Sequence, residues 1–360
     1  MKIKKELLII LLVKIAFTLL TFFVLQKMSN FSDTERYLNA HLSFNNILDR
    51  TTLTENFFSL LMSIFTEKLV VNLFISISFG FILYLIFKDR FEYVDKKLFW
   101  VVFLLPNFQI WTGIAGKEVL AISGYLLLIR WIVDFQLNYK CNILYLLTGL
   151  GMGVLLRPHY GMAYLVLLFS SIFLVRMKIR TFSSITYYLI IIFVIVFTSI
   201  LLYFTNSLWG KYFLSAMLAV KSYFAYPEAN SSRYWIVWAQ LSDYFHNMYW
   251  GLFYSIVGPT LTESINRTIF IPIFIEGIIG VLLIFILFYK LKTSVKHYPQ
   301  YTNFFYFSFF PSFVIIILIN YPFCIFNPGS AVRYKQNIIP LIYIYPLLVL
   351  SYIKELSNKE

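Results

Sequence analysis

Charged residues are scarce in this sequence. Asp, Glu, Lys and Arg supply 13% of its 360 residues, about half the roughly 25% found in an ordinary soluble domain. With 60% hydrophobic and 20% aromatic residues and a mean hydropathy of +0.75, neither a water-soluble globule nor a disordered chain fits, because both need a more polar composition. Cysteine is nearly absent. Cys141 and Cys324 are too few for a disulfide framework, and no CxxC pair or His/Cys cluster predicts a metal site. The sequence also lacks a P-loop, a dinucleotide-binding glycine fingerprint and a GxSxG elbow. That argues against nucleotide-driven chemistry and leaves no cofactor to expect.

What is present is a series of long apolar runs. Ten are read as spans: Leu7–Leu25, Leu69–Phe87, Leu98–Gly113, Val119–Phe135, Ile143–Leu156, Met162–Val175, Ile185–Phe204, Ile269–Tyr289, Phe304–Ile319 and Ile338–Ile353. Several fall short of the roughly 20 residues that cross a bilayer perpendicularly. The first follows Lys2, Lys4 and Lys5, but it is too long for a signal peptide and no small-residue cleavage site follows, so it is read as retained. The expected fold class is all-α: a single integral membrane domain over residues 1–360, built as a polytopic bundle of about ten transmembrane helices. Two long loops interrupt it, 26–68 and 205–268. Their segments Lys211–Tyr223, apolar at helical spacing, and Arg233–Trp250, with Trp and Tyr throughout, are expected as amphipathic helices at the membrane interface.

Orientation follows from the basic residues. With the N-terminus inside, 17 of the 30 Lys and Arg fall in inner segments and 12 in outer ones, with Lys14 inside the first span. Both termini are then cytoplasmic and both long loops lie outside. Most of the net charge of +13 is therefore an orientation signal, and no nucleic-acid partner is expected.

The polar groups able to do chemistry gather on the outer side. Ser32-Asp33-Thr34-Glu35-Arg36-Tyr37 lies early in the first loop, where Asp33 or Glu35 suits a general base on a sugar hydroxyl, a ligand to a divalent ion, or simply a solvated ion pair. Pro106 interrupts the third span. Gly113 and Gly116 allow close backbone approach, and Lys117-Glu118 end at or just below the outer surface, where charge is costly. Sixteen uncharged residues separate Lys140 from Arg157, and 18 separate Arg157 from Arg176. At 1.5 Å per residue these reach roughly 24 and 27 Å, less than the ~30 Å apolar core. The turn Arg157-Pro158-His159-Tyr160-Gly161 is thus expected to be recessed, and its guanidinium needs a partner or a water-filled cavity. Arg157 suits phosphate oxygens, and His159 suits proton transfer near neutral pH.

Arg233 is expected to open the helix of the second loop. Asn327-Pro328-Gly329 is expected to make a tight turn before Arg333 and Lys335. Lys14 is expected to pair with Glu276, and Arg130 with Asp134 four residues on.

Four stretches carry a family resemblance. Three of them, LLPNFQIWTGIAGKE, LLRPHYG and NPGSAVRYKQNIIP, together with the outward basic loops, look like the Wzy-type polymerases of bacterial O-antigen and capsule repeat units. SDTERY also resembles the acidic first-loop motif of GT-C glycosyltransferases. The resemblance implies metal-independent, inverting joining of undecaprenyl-pyrophosphate-linked oligosaccharides at the periplasmic face of the inner membrane. It implies membrane lipids and a chain-length regulator protein as partners. It also implies pyrophosphate-binding roles for Arg157, Arg233 and Arg333, assisted by Lys117, with the base among Asp33, Glu35, Glu118 and His159. The paired motifs of that family's large outer loop are not clean here. Two alternatives stay open: a GT-C-type transferase moving one sugar from a polyprenyl phosphate, and a flippase for a lipid-linked glycan. The flippase would need polar groups along a path through both leaflets, whereas the ionisable groups here are read mainly at the outer third.

Overall fold

A computed structural model describes residues 5–28, 32–46, 49–178, 184–225, 232–233 and 235–359. It is helical, with no strand among the described residues. In chain order the main helices are α1 (Lys5–Leu25), α2 (Ser32–Leu38), α3 (Arg50–Phe65), α4 (Lys68–Phe87), α5 (Lys96–Phe103), α6 (Pro106–Trp111), α7 (Lys117–Gln136), α8 (Ile143–Val154), α9 (Pro158–Met177), α10 (Ser184–Phe204) and α11 (Asn206–Phe224). There follow α12 (Leu241–His246), α13 (Met248–Ile256), α14 (Leu261–Asn266), α15 (Thr268–His297), α16 (Tyr301–Ile325), α17 (Pro328–Lys335) and α18 (Pro340–Ser357).

Among the described residues, five helices are long and apolar enough to cross a membrane: α1, α4, α9, α15 and α16. A sixth is added if Pro328–Ile338 and Pro340–Ser357 are taken as one broken span. Three of the ten expected spans differ for local reasons. The third is cut, because α5 ends at Phe103 and Pro106 occupies the first turn of α6, where its missing N–H costs nothing. The fourth, α7, forms over 20 residues, but 18 of them are buried, so it faces protein on all sides. The fifth, α8, runs for only 12 residues and ends in a π-helical turn, Gly149–Val154.

The chain divides into two compact units. The first comprises residues 1–165, 283–291 and 336–360, with α7 at its centre. Gly149 and Gly153 are four apart on α8, a spacing that lets helix backbones approach closely. A Cβ on Gly124 of α7 would collide with the Gly153 backbone, and one on Gly149 would lie 2.7 Å from Leu128. Lys14 of α1 is fully buried. Its ammonium donates to the Gln109 carbonyl at 3.2 Å and to Thr112 Oγ1 at 2.8 Å, and lies 4.9 Å from the Phe79 ring. The expected Lys14–Glu276 pair is therefore replaced: the broken third span offers Lys14 its acceptors, and Glu276 has Lys335 as an electrostatic partner.

At the other end of α7, the expected Arg130–Asp134 pair forms at 2.8 Å. It belongs to a larger network. Asp134 also accepts from Tyr352, while Arg90 pairs with Glu355 and stacks 3.6 Å from the Tyr352 ring.

The second unit comprises residues 166–282 and 292–335. Its core gathers Trp238, Tyr244, Tyr254, Tyr321, Cys324 and Phe326. Lys211–Tyr223 is helical as expected, within α11. Helix does not begin at Arg233. It begins at Leu241, where Gln240 and Asp243 form a reciprocal capping box that fixes the start. Asn327-Pro328 does not make a free tight turn either. Asn327 Oδ1 accepts from Gly329 N at 2.8 Å and starts α17.

The close α7–α8 contact generates a testable outcome. Gly124→Ala should lower the thermal midpoint of the detergent-purified protein, at a cost of about 1–3 kcal/mol for overpacking. Gly151→Ala is the control, since a Cβ there meets nothing within 4 Å and should change the midpoint little.

Candidate functional site: a basic cluster in the first unit

Three separate segments meet around the N-terminus of α7. The first is the turn at residues 112–116, held from both sides. Ala115 N donates to Asn72 Oδ1 of α4, and the Ala115 carbonyl accepts from Thr34 Oγ1 of α2, each at 2.9 Å. The acidic first-loop stretch therefore packs directly on the turn that leads into Lys117 and Glu118.

The second segment is the Arg157 turn. The Arg157 guanidinium forms an ion pair with the Glu118 carboxylate. Both are buried, Arg157 at 6% and Glu118 at 1% exposure, which answers the need of a recessed guanidinium for a partner. The backbone is also pinned. Tyr125 Oη donates to the Arg157 carbonyl at 2.8 Å, and the Tyr125 ring stacks on Tyr164 at 3.9 Å. Gly153 packs against the Tyr125 ring edge, so the close α7–α8 contact also sets where Arg157 stands.

The third segment was missed by sequence reasoning. Helix α3 starts at Arg50, capped by Asp49, whose Oδ2 accepts from Thr51 N at 2.8 Å and Thr52 N at 3.1 Å. The next side chain, Thr51, bonds through its hydroxyl to Lys117 Nζ at 2.6 Å. This brings Arg50 to the cluster, where its charge interacts with both Lys117 and His159. The Asp-Arg-Thr-Thr cap at residues 49–52 was the available signal for the start of α3. Nothing local to Arg50 indicated that it would meet Lys117, 67 positions further on.

The charge balance is one-sided. Arg157 uses Glu118. The Lys117 ammonium bonds to a neutral hydroxyl, and Asp49, the other carboxylate acting on it, serves the helix cap. Burial, together with the positive charges of Arg157 and Arg50, lowers the Lys117 pKa to about 8. His159 lies beside them, half-buried and 4.6 Å from the Tyr160 ring. Of the other proposed carboxylates, Glu35 pairs with Lys68 at 2.6 Å. Asp33 is half-buried on α2 and interacts with Arg36.

Arg233 and Arg333 belong to the second unit. The Arg233 guanidinium is fully buried and heavily committed. Nε and Nη2 donate to Glu263 at 2.5 and 2.9 Å, Nη1 donates to the Cys324 and Ile325 carbonyls at 3.1 and 2.9 Å, and the group stacks 3.5 Å from the Tyr254 ring. The geometry is that of a clamp joining the chain before α12 to the end of α16. Burial pushes the Glu263 carboxyl up, but Arg233 and the Thr260 backbone outweigh it and hold the pKa below its ordinary value. The Thr260-to-Glu263 capping box was a readable signal for the start of α14, but not for its pairing with Arg233. Arg333 is half-buried on α17, 5.9 Å from the Tyr334 ring. Lys335 is buried and reaches the Val257 carbonyl at 3.5 Å.

Among the described residues, no group of three or more His, Cys, Asp or Glu side chains could hold a metal ion. Against protein-family models, curated proteins and solved structures, the chain gives no match.

The Lys117 environment sets its pH behaviour. A pKa lowered to about 8 means that the ammonium loses its proton as pH rises through 8, well before an ordinary lysine at roughly 10.4. Acetic anhydride labelling read by mass spectrometry should show Lys117 reacting with a midpoint near pH 8. In Arg50→Gln the midpoint should move upward, because a neighbouring positive charge is gone.

Proposed function

We propose that this chain is a Wzy-type polymerase, joining pyrophosphate-linked oligosaccharide repeat units on a polyprenyl carrier at the outer face of a bacterial inner membrane. The observation that carries the reading is the basic cluster of Arg50, Lys117 and Arg157, three cations that meet two carboxylates, Glu118 and Asp49, among the described residues. A lipid-linked pyrophosphate supplies the missing negative charge. Two of the sequence stretches that suggested the family, the Lys117–Glu118 hairpin and the Arg157 turn, build this cluster, and a third, SDTERY, packs on it.

The chemistry needed is modest. The acceptor hydroxyl attacks the anomeric carbon of the donor while a base takes its proton. The bond from that carbon to the pyrophosphate oxygen breaks, and its electron pair leaves with the pyrophosphate. Lys117 and Arg157 stabilise the growing negative charge, and such fixed cations act strongly where water is excluded. The base is sought among Asp33, Glu35, Glu118 and His159, of which Glu118 also pairs with Arg157 and Glu35 with Lys68. Arg233, bound to Glu263 and two backbone carbonyls within the second unit, acts as a positioning clamp there.

The contact of Thr34 with the turn before Lys117 also favours a second reading, a GT-C-type transfer of a single sugar with Asp33 as base. The two readings differ in product. In a deletion strain, Arg157→Lys keeps a positive charge for Glu118 but loses the planar fork, and Lys117→Met removes the ammonium. Both should collapse the polysaccharide ladder toward single repeat units, with the polymerisation rate reduced on the order of 10²–10³-fold, at unchanged protein level in the membrane. A full ladder from both variants would refute the site. One added sugar and no ladder from the wild-type protein would establish the transferase.

A further inference from the structure

Helix α3 has two faces. One is packed: Thr54 and Phe58 are fully buried, and Phe58 stacks on Tyr37 of α2 at 6.0 Å. The other is open. Arg50, Leu53, Phe57, Leu60 and Ile64 follow one another at steps of three and four residues, so they lie along one stripe. Phe57, Leu60 and Ile64 are 38%, 50% and 69% exposed. Read from the N-terminus, this stripe is a cation followed by roughly 17 Å of apolar surface, at 1.5 Å per residue. It ends beside α4, where Phe65 meets the Phe74 ring at 5.0 Å. Phe74 belongs to the exposed apolar face of a helix long enough to cross a membrane, so the stripe runs from the lipid-facing surface to the basic cluster.

We propose that α3 is a docking track for a phosphate-headed lipid, with Arg50 and Lys117 holding the phosphate while Phe57, Leu60 and Ile64 hold the first stretch of the attached apolar chain. This rests on the reading of the cluster as a lipid-linked pyrophosphate site and assigns it a carrier-binding element. The match in kind is specific. An apolar peptide has no use for Arg50, and a soluble phosphate has no use for the stripe. A molecule with both parts satisfies the whole face, and it reaches the cluster from within the bilayer plane. Arg50, Phe57, Leu60 and Ile64 are exposed and Leu53 is half-buried, so substitutions at the exposed positions leave the packed face intact.

The test uses full-length protein in phosphatidylcholine nanodiscs. Protection of Lys117 from acetic anhydride is read against two probes, inorganic pyrophosphate and a short-chain prenyl pyrophosphate. The prenyl probe should half-protect Lys117 at a concentration at least about tenfold lower, since burying even a few methylene-sized groups is worth that much. Arg50→Gln should raise the half-protecting concentration of both probes about tenfold, the loss expected for one charge-assisted hydrogen bond. The double variant Leu60→Asn/Ile64→Asn should raise it for the prenyl probe alone. Equal protection by both probes, or an equal shift of both in the double variant, would overturn the track while leaving the anion site standing. Protection by phosphatidylglycerol nanodiscs without any probe would instead make α3 a general anchor for anionic lipid and would also overturn it. If inorganic pyrophosphate fails to protect wild-type Lys117, the anion site itself falls, and the proposed function loses its support with it.

Discussion

Burying a carboxylate and a guanidinium together is costly unless each exists for the other. Moving one such ion out of water carries an effective penalty of several kcal/mol, and removing its partner strands the full cost. Glu118 and Arg157 satisfy that condition at almost complete burial, and much of the first unit follows from their meeting. Glu118 must be presented by the first turn of α7, so the preceding turn is fastened by Asn72 and Thr34. Arg157 must arrive from the end of a short α8, so α7 and α8 approach backbone to backbone at Gly124 and Gly153. Tyr125 then holds the Arg157 carbonyl. The ion pair is less a source of stability than a specification of where three segments must come together.

That specification leaves a surplus of positive charge. One buried carboxylate answers one arginine, and the cap on α3 occupies the other. Among the described residues, Arg50 forms no ion pair, and Lys117 bonds to a neutral hydroxyl while it shares the fields of Asp49 and Glu118 with Arg50 and Arg157, so an added anion meets limited competition. The same cluster supplies orientation, because Arg50 also begins a helix whose open face is apolar. Charge and greasiness are arranged in sequence along one helix, which suits an amphiphile better than a small ion. The second unit handles its charges differently. Arg233 is spread over two carbonyls, a carboxylate and an aromatic face, so it ties chain segments together and keeps little capacity for a ligand.

Parts of this were legible in the sequence for identifiable reasons. The need of Arg157 for a partner followed from counting uncharged residues against the thickness of a bilayer, and Arg157 is buried against Glu118. The break at Pro106 followed from its missing N–H, and the Arg130–Asp134 pair from helical spacing. What stayed hidden was long-range. Arg50 became relevant only through the contact of Thr51 with Lys117, a separation of 66 positions. Lys14 was assigned a carboxylate because a buried ammonium usually needs one, yet a broken helix exposes a carbonyl and a hydroxyl that serve as well. The helix expected from Arg233 onward fails for a similar reason: its aromatic pattern serves a packed core around Trp238, and the capping residues that fix the true start lie at 240 and 243.

Lys14 also bears on how the protein is made. Its acceptors lie 95 and 98 positions further along the chain. The ribosome delivers α1 before these acceptors, with an ammonium in the middle of an apolar stretch. Until the broken hairpin around Gln109 and Thr112 follows, that charge has to be kept wet by water or by the insertion machinery. Final seating of the first helix therefore waits for the hairpin, and the hairpin is what carries Lys117 and Glu118 into place. Synthesis and seating of α1 are thus separated: α1 is made before its acceptors, and it is fixed by the segment that presents the site.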